Sequence, residues 1–233
     1  MSSDILVQIE GVRREFRRGG EGAEVLCGVD LMAKAGEMIC LTGKSGVGKT
    51  TLLHLMAGLD RPTSGTIRVA GEDLGRLSDS ALARHRARFI GVVFQAFNLL
   101  GHLTVGENVM LPAVFRRRGR SDARRRALEA LERVGLGDRA EDLPGSLSGG
   151  ELQRVALARA SFGKPAVLIC DEVTGNLDSQ TGAHVVNLIS DLCRKDGLAV
   201  IAATHDPCLE QVSDRILNLV DGHLEETDVG EGE

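Results

Sequence analysis

The stretch GKSGVGKT, Gly43 to Thr50, decides how the rest of the chain is read. It follows the apolar run EMICLT and precedes the apolar run LLHLMAG, a strand–loop–helix context. The spacing G-x-x-x-x-G-K-[ST] builds a seat for phosphate: its glycines let backbone N–H groups close around phosphate oxygens. Lys49 then reaches the β- and γ-phosphates, and the Thr50 hydroxyl binds Mg²⁺. A chance match somewhere in such a chain is on the order of 1 in 100. A merely flexible glycine loop would not explain the strand before it and the helix after it.

A second glycine turn opens a helix at LSGGELQRVALARA, Leu147 to Ala160. A helix start at Gly149-Gly150 with free N–H groups attracts an anion. One nucleotide site then has two seats. That arrangement makes sense if the second seat closes over nucleotide held by another copy of the chain, two chains sharing two ATP molecules head to tail.

The chain's 233 residues fit one large domain, or one domain with an insert. Its apolar fraction of 42% supports a buried core. The longest apolar runs, such as Leu198 to Ala203, fall far short of the ~20 residues a bilayer-spanning helix needs. The opening MSSDILVQIE carries acids at once and does not read as a leader, so a soluble, cytoplasmic chain is expected. A formal charge of −5 argues against general nucleic-acid binding. Five cysteines, an odd number without a CxxC pair, fit a reducing compartment and neither a disulfide framework nor a zinc site. Cys40 and Cys170 sit inside apolar runs and are expected to be buried.

Ile5 to Ile9, Leu26 to Leu31 and Thr66 to Ala70 read as strands between glycine-rich turns. ILNLV-DG-HLEE is a hairpin signal, with Asp221-Gly222 supplying the turn. The tail EETDVGEGE has no apolar patch to bury and is expected to be disordered. Four near-continuous apolar runs, EMICLT, FIGVVF, AVLIC and AVIAA, suit strands of a parallel sheet covered on both faces. Ligands gather at the carboxyl ends of such strands. The segment 96–162 reads as a helical insert. Within it Ser121 is expected to cap a helix whose apolar stripe holds Leu128, Leu131 and Val134.

Each apolar run ends in chemistry. Asp171-Glu172 closes AVLIC: the aspartate can hold Mg²⁺, usually through water, and Glu172 can take a proton from attacking water. Gln95 follows FIGVVF, and its amide oxygen can join the metal shell or orient water. His205 follows AVIAA and can donate to the γ-phosphate. Two adjacent acids, or a lone histidine, would alone be ordinary surface or core residues. Their shared position at the strand ends gives them weight.

In these motifs the chain resembles the ATP-binding subunits of ABC transporters along nearly its whole length. Walker A is GKSGVGKT, the signature is LSGGE, Walker B is AVLICDE, and GNLD (Gly175 to Asp178) matches the D-loop. Gln95 matches the Q-loop and His205 the switch histidine. The resemblance implies an α/β, RecA-like P-loop core with an N-terminal antiparallel β subdomain and a helical insert, 1–233 forming a single nucleotide-binding domain. It implies ATP and Mg²⁺ as ligands. Gly43, Lys44, Ser45, Gly46, Val47, Gly48, Lys49, Thr50 and Thr51 are expected at the phosphates of one chain. Ser148, Gly149, Gly150 and Glu151 are expected across the interface, with Asp178 linking the two sites. Phe16, in a chain without Tyr or Trp, is the residue expected to stack on adenine; the alternative is a core phenylalanine at a strand end. Glu172, His205 and Gln95 are the expected catalytic residues; Thr50, Gln95 and Asp171 are the expected metal ligands.

HLMAGLDRPTSGTI, VVFQAFNLLGHLTVGENVMLP and TGNLDSQTG are similar to the group of lipoprotein-release, macrolide-export and cell-division ATPases. That likeness implies a second copy and membrane permease subunits as partners, no nucleic acid, and a peripheral place on the cytoplasmic face of the inner or plasma membrane. Export or mechanical transmission is the expected work. Leu99, Leu100 and Leu103 fit either the groove that receives a permease or ordinary packing. The seven arginines between Arg116 and Arg126 are read either as a solvated helix face or as a contact for anionic lipid or an acidic permease loop. Val173 stands where a proline is usual, which would loosen the loop aiming Glu172, and the Lys44 charge meets either the phosphates or solvent. Soluble ABC ATPases of DNA repair would carry a long coiled coil after Gln95, and ribosomal ones two cassettes; neither is here. A non-hydrolysing regulatory module is argued against by Glu172, Gln95 and His205.

Overall fold

The computed structural model describes residues 4–18, 21–115 and 120–227. Its smaller sheet is antiparallel. β1 (Ile5–Arg18) lies between β2 (Glu21–Lys34) and β4 (Ser64–Val69). The two-residue β5 (Glu72–Asp73) extends the β4 edge. The larger sheet is built from β3 (Met38–Thr42), β6 (Ile90–Val93), β7 (Val167–Asp171), β8 (Ala199–Ala203), β9 (Arg215–Val220) and β10 (His223–Thr227). Its order is β10-β9-β3-β8-β7-β6, parallel except for the β9–β10 hairpin.

The four apolar runs become β3, β6, β7 and β8, and their near-continuity has a physical cause. Ile39, Leu41, Ile169 and Ile201 face a core shared with the antiparallel sheet and α1 (Lys49–Met56). The alternate residues Met38, Cys40, Leu168, Cys170, Val200 and Ala202 face a second core, which includes α5 (Gly149–Ser161) and α6 (Ser179–Asp196). Both faces exclude water, so neither position of the period-two alternation can be polar. Each large aliphatic side chain so buried contributes about 1.5–3 kcal/mol.

The remaining helices are α2 (Asp79–Phe89), α3 (Val105–Phe115), α4 (Arg120–Arg133) and α7 (Pro207–Val212). From 96 to 162 the described residues form only helices and turns, around a third core that includes Val105, Val109, Leu131 and Phe162. Leu131 and Val134 are buried there and Leu128 packs against them. Buried Asn108 ties the incoming chain to α3: its Oδ1 accepts from Leu100 N, and its Nδ2 lies within 3.2 Å of three carbonyls.

Several expectations need correction. β1 and β2 run far beyond Ile5–Ile9 and Leu26–Leu31, because the charged stretch Arg13–Arg18 pairs through its backbone with Glu21–Cys27. Ser121 is not a helix cap, since α4 already includes Arg120. The tail is ordered as far as Thr227: β10 pairs with β9, and Arg215 grips both Glu226 oxygens at 2.7 and 3.2 Å. The rest of the tail lies outside the described residues. Helices α2 and α6 were not anticipated. Asp221 and Gly222 make the expected turn, with φ of 46° and 81°.

Candidate functional site

The carboxyl ends of β3, β7 and β8 open onto a cleft of about 540 Å³. Its walls include Lys49, Thr50, Gln95, Asp171, Glu172 and His205, joined by Ser45, Gly46, Gly48, Thr51 and Gly175. Gly48 precedes α1 with φ of 120°, and no side chain caps that helix start. A Cβ on Gly43 (φ 134°) would lie 2.6 Å from the Leu219 carbonyl, so this end of the loop demands glycine. The helix start is left open for an anion.

Lys49 is buried, and its ammonium has three acceptors: the carbonyls of Gly43 at 2.5 Å and Lys44 at 3.3 Å, and His205 Nε2 at 3.2 Å. An ammonium has three hydrogens, so two loop carbonyls and the His205 ring nitrogen together can take all of them. Lys49 can only donate, so in this contact His205 Nε2 stands as the acceptor. Glu172 Oε1 lies 3.6 Å from the same nitrogen, longer than a hydrogen bond. Thr50 Oγ1 donates to Asp171 Oδ1 at 3.3 Å, joining the loop to the end of β7.

Glu172 adopts left-handed backbone, φ 48°, immediately after that strand. Such a conformation costs a non-glycine residue about 1–3 kcal/mol. Its N–H is held by the Ala203 carbonyl at 2.9 Å, and its carbonyl accepts from Gly175 N at 3.2 Å. Val173 beside it is buried in the second core, so packing anchors this loop where a loosened one was expected. Lys44 is exposed, as are its neighbours Ser45 and Gly46 in the cleft wall.

Ser148, Gly149, Gly150 and Glu151 are not among the walls of this cleft. Ser148 caps α5 in a reciprocal box with Glu151, whose Oε2 accepts from Ser148 N at 2.8 Å and Oγ at 2.7 Å. Those bonds, first to the backbone and then to the hydroxyl, hold the Glu151 carboxyl below its ordinary range. Arg139 Nη1 reaches the other oxygen at 3.1 Å. Gly150 presses on α6: a Cβ there would come 2.1 Å from Thr181 Cγ2. Asp178 caps α6, accepting from Thr181 N at 3.0 Å and Oγ1 at 2.6 Å. The box was legible in the Ser-x-x-Glu spacing, whereas Arg139 and Thr181 carried no such signal.

Phe16 is half exposed on β1, outside the cleft walls. The Arg14 guanidinium sits 4.6 Å from its ring centroid and is held by Asp60 at 2.7 Å. One ring face is therefore occupied by a cation. Leu99 packs on the third core, Leu100 is 41% exposed and Leu103 is half-buried. Of the arginine run, residues 116–119 lie outside the described residues. Arg124, Arg125 and Arg126 pair with Glu141, Glu129 and Asp122, as a solvated helix face does.

A phosphate loop, an acidic pair at the neighbouring strand end and a doubly covered parallel sheet define a P-loop nucleotide hydrolase. Residues 26–175 match the ABC transporter family, and the chain belongs to that family as an ATP-binding cassette and ATPase. It is 43% identical over 225 residues to the lipoprotein-releasing system ATP-binding protein LolD of Chromohalobacter salexigens, covering 97% of this chain and 95% of LolD. It is 44% identical over 226 residues to the uncharacterized ABC transporter ATP-binding protein YbbA of Escherichia coli K12, covering 97% and 99%. Among solved structures, the ATP-binding cassette MJ0796, a post-hydrolysis dimer bound to ADP and Pi, superimposes with a TM-score of 0.89. It shares 37% identity, over 97% of this chain and 100% of that one.

Proposed function

We propose that the chain is the energy-coupling subunit of a membrane transporter, two copies closing over two ATP molecules to drive a permease from its cytoplasmic face. Export or mechanical transmission, such as lipoprotein release, is the work it supports best. The observation that carries this reading is the separation of two half-sites within one chain. The cleft joins Lys49, Thr50, Asp171, Glu172 and His205, while the glycine seat at Ser148 lies outside it. A second copy completes the site.

In the proposed reaction Lys49 exchanges its carbonyl partners for phosphate oxygens, which compensate the ammonium better. Glu172 accepts the proton of the attacking water, and His205 holds the γ-phosphate through a ring nitrogen. Gln95 orients the water, and Phe16 offers its free face to adenine. Thr50 Oγ1 and Asp171 present adjacent hard oxygen donors, with Gln95 on the same wall, a set that fits Mg²⁺. Bound there, Mg²⁺ neutralises charge on the triphosphate. No helix among the described residues is long and apolar enough to cross a membrane, which agrees with a separate permease subunit.

The test is a mild-detergent pull-down of the tagged chain from its native cells. A co-purifying membrane protein with few spans and a large external domain is the expected result. A many-span permease would overturn the mechanical subgroup. Recovery only with ribosomes or DNA would overturn the transporter.

A further inference from the structure

One residue beyond Gln95 the backbone passes through two successive left-handed residues, Phe97 (φ 50°) and Asn98 (φ 52°). Neither is glycine, and a phenylalanine side chain disfavours this conformation strongly. Arg159 holds both. Its Nη2 donates to the Phe97 carbonyl at 2.8 Å and its Nη1 to the Asn98 carbonyl at 2.6 Å. The guanidinium is drawn out of water to do so, and burial lowers its pKa. Arginine is suited to this task because its planar fork presents donors in fixed directions, which a flexible ammonium does not.

Arg159 belongs to the last turn of α5, the helix that begins at the Ser148 cap. An α-helix rises about 1.5 Å per residue, so the two ends lie about 16 Å apart on one stiff rod. The turn gripped by Arg159 carries Gln95 into the cleft at its other side, where Asn176 Nδ2 meets the Gln95 carbonyl at 3.5 Å. Farther along, Asn108 pins the same segment to α3. The segment therefore has an anchor on each of two helices, and the Arg159 anchor is the one bearing on the left-handed residues.

We propose that Arg159 is a positioning residue, a strut fixing the strained turn after Gln95 to α5, so that Gln95 and the seat at Ser148 move as one body. Arg159 touches neither nucleotide nor water in this scheme. Its effect on turnover rests on the ATPase reading, but its mechanical effect on the two segments does not. Losing the guanidinium releases the turn, and Gln95 then reaches the cleft without carrying the Ser148 seat with it.

Two measurements test the strut. In the nucleotide-free chain, Arg159→Gln should speed amide hydrogen exchange at residues 96–99 and also at 148–151. In ATP hydrolysis it should lower kcat about tenfold while KM moves less than about twofold. Asn98→Gly, which accepts left-handed backbone without a restraining partner, should restore about threefold of that loss. A merely structural arginine would raise exchange across α5 and show no glycine rescue. Exchange that rises at 96–99 alone, or an unchanged kcat, overturns the strut. If the parent chain does not hydrolyse ATP, the ATPase reading falls, and the exchange data still decide the strut. Should Arg159→Gln fail to fold, Arg159→Lys reads the same two segments, with a smaller rise expected and no rise overturning the proposal.

Discussion

Ser148 Oγ donates to Glu151 Oε2 at 2.7 Å, so the hydroxyl of the glycine seat is already engaged within its own helix cap. Arg139, on the carboxylate's other oxygen, holds that arrangement in place. In the proposed dimer, closing over a partner's γ-phosphate exchanges one charge-assisted bond for another of similar strength. Ser148→Arg inserts a long cation where the proposed dimer brings the phosphate. Turnover should vanish, while binding of a fluorescent ATP analogue to the single chain stays within about threefold. Lost binding would mean that the seat serves the chain's own cleft.

Glu172→Gln removes the proposed proton acceptor and keeps the shape. Turnover should fall about a hundredfold or more, and the variant should run at doubled mass only with Mg-ATP present. A variant that hydrolyses as fast as the parent would rule out Glu172 as the base.

Gly150→Ala tests the contact between α5 and α6. Thr181 cannot simply rotate its methyl away, because its hydroxyl is held by Asp178 at 2.6 Å. The variant should lose about 1–3 kcal/mol in a denaturant titration. Adding Thr181→Ser, which deletes the methyl and keeps the hydroxyl, should recover most of it. A double variant as unstable as the single would place the cause elsewhere.

Asp214 gives the fold an acid dependence. Burial alone would raise its carboxyl, but Arg194 on both oxygens, at 2.9 and 2.8 Å, and the Met38 N–H at 2.7 Å bring it below 3.8. A depressed folded value gives stability that is full above the unfolded value and is lost as pH falls through the folded one. Asp214→Asn should therefore cost about 1 kcal/mol at pH 7, modest because the pair is partly solvated. The gap between parent and variant melting temperatures should close below pH 3.8. A gap independent of pH would show that charge is not involved.

Thiol labelling separates the five cysteines. Cys208 is exposed and should react first, with half-buried Cys27 slower. Cys40 is buried with its thiol pushed up to about 12, and burial also pushes Cys170 and Cys193 up. Mass spectrometry should find these three labelled only after unfolding. Fast labelling of Cys170 in the native chain would contradict the second core.

The sheet and its cleft were legible because burial and chemistry are both written locally. A run of apolar residues ends, and Asp171-Glu172 or Thr204-His205 follows. The charged ribbon of β1 and β2 was hidden for the opposite reason: its strands are held by backbone pairing while their side chains stay polar. Helix α6 carries local signals of its own, the Asp178 cap and an apolar stripe at Val185, Ile189 and Leu192. Arg159 was illegible in principle, since its partners Phe97 and Asn98 lie 62 and 61 residues away in sequence. No spacing rule predicts which carbonyl a guanidinium will find.

In the proposed dimer, a seat outside the chain's own cleft makes abundance a control variable. Free in solution, two copies must meet by diffusion, and hydrolysis per chain should climb with the amount of protein added. Held side by side on a permease, they sit at an effective concentration on the order of millimolar. The permease would then set the pace of ATP use by proximity alone, before any cargo is felt, and a fused tandem of two copies should hydrolyse at a rate independent of dilution.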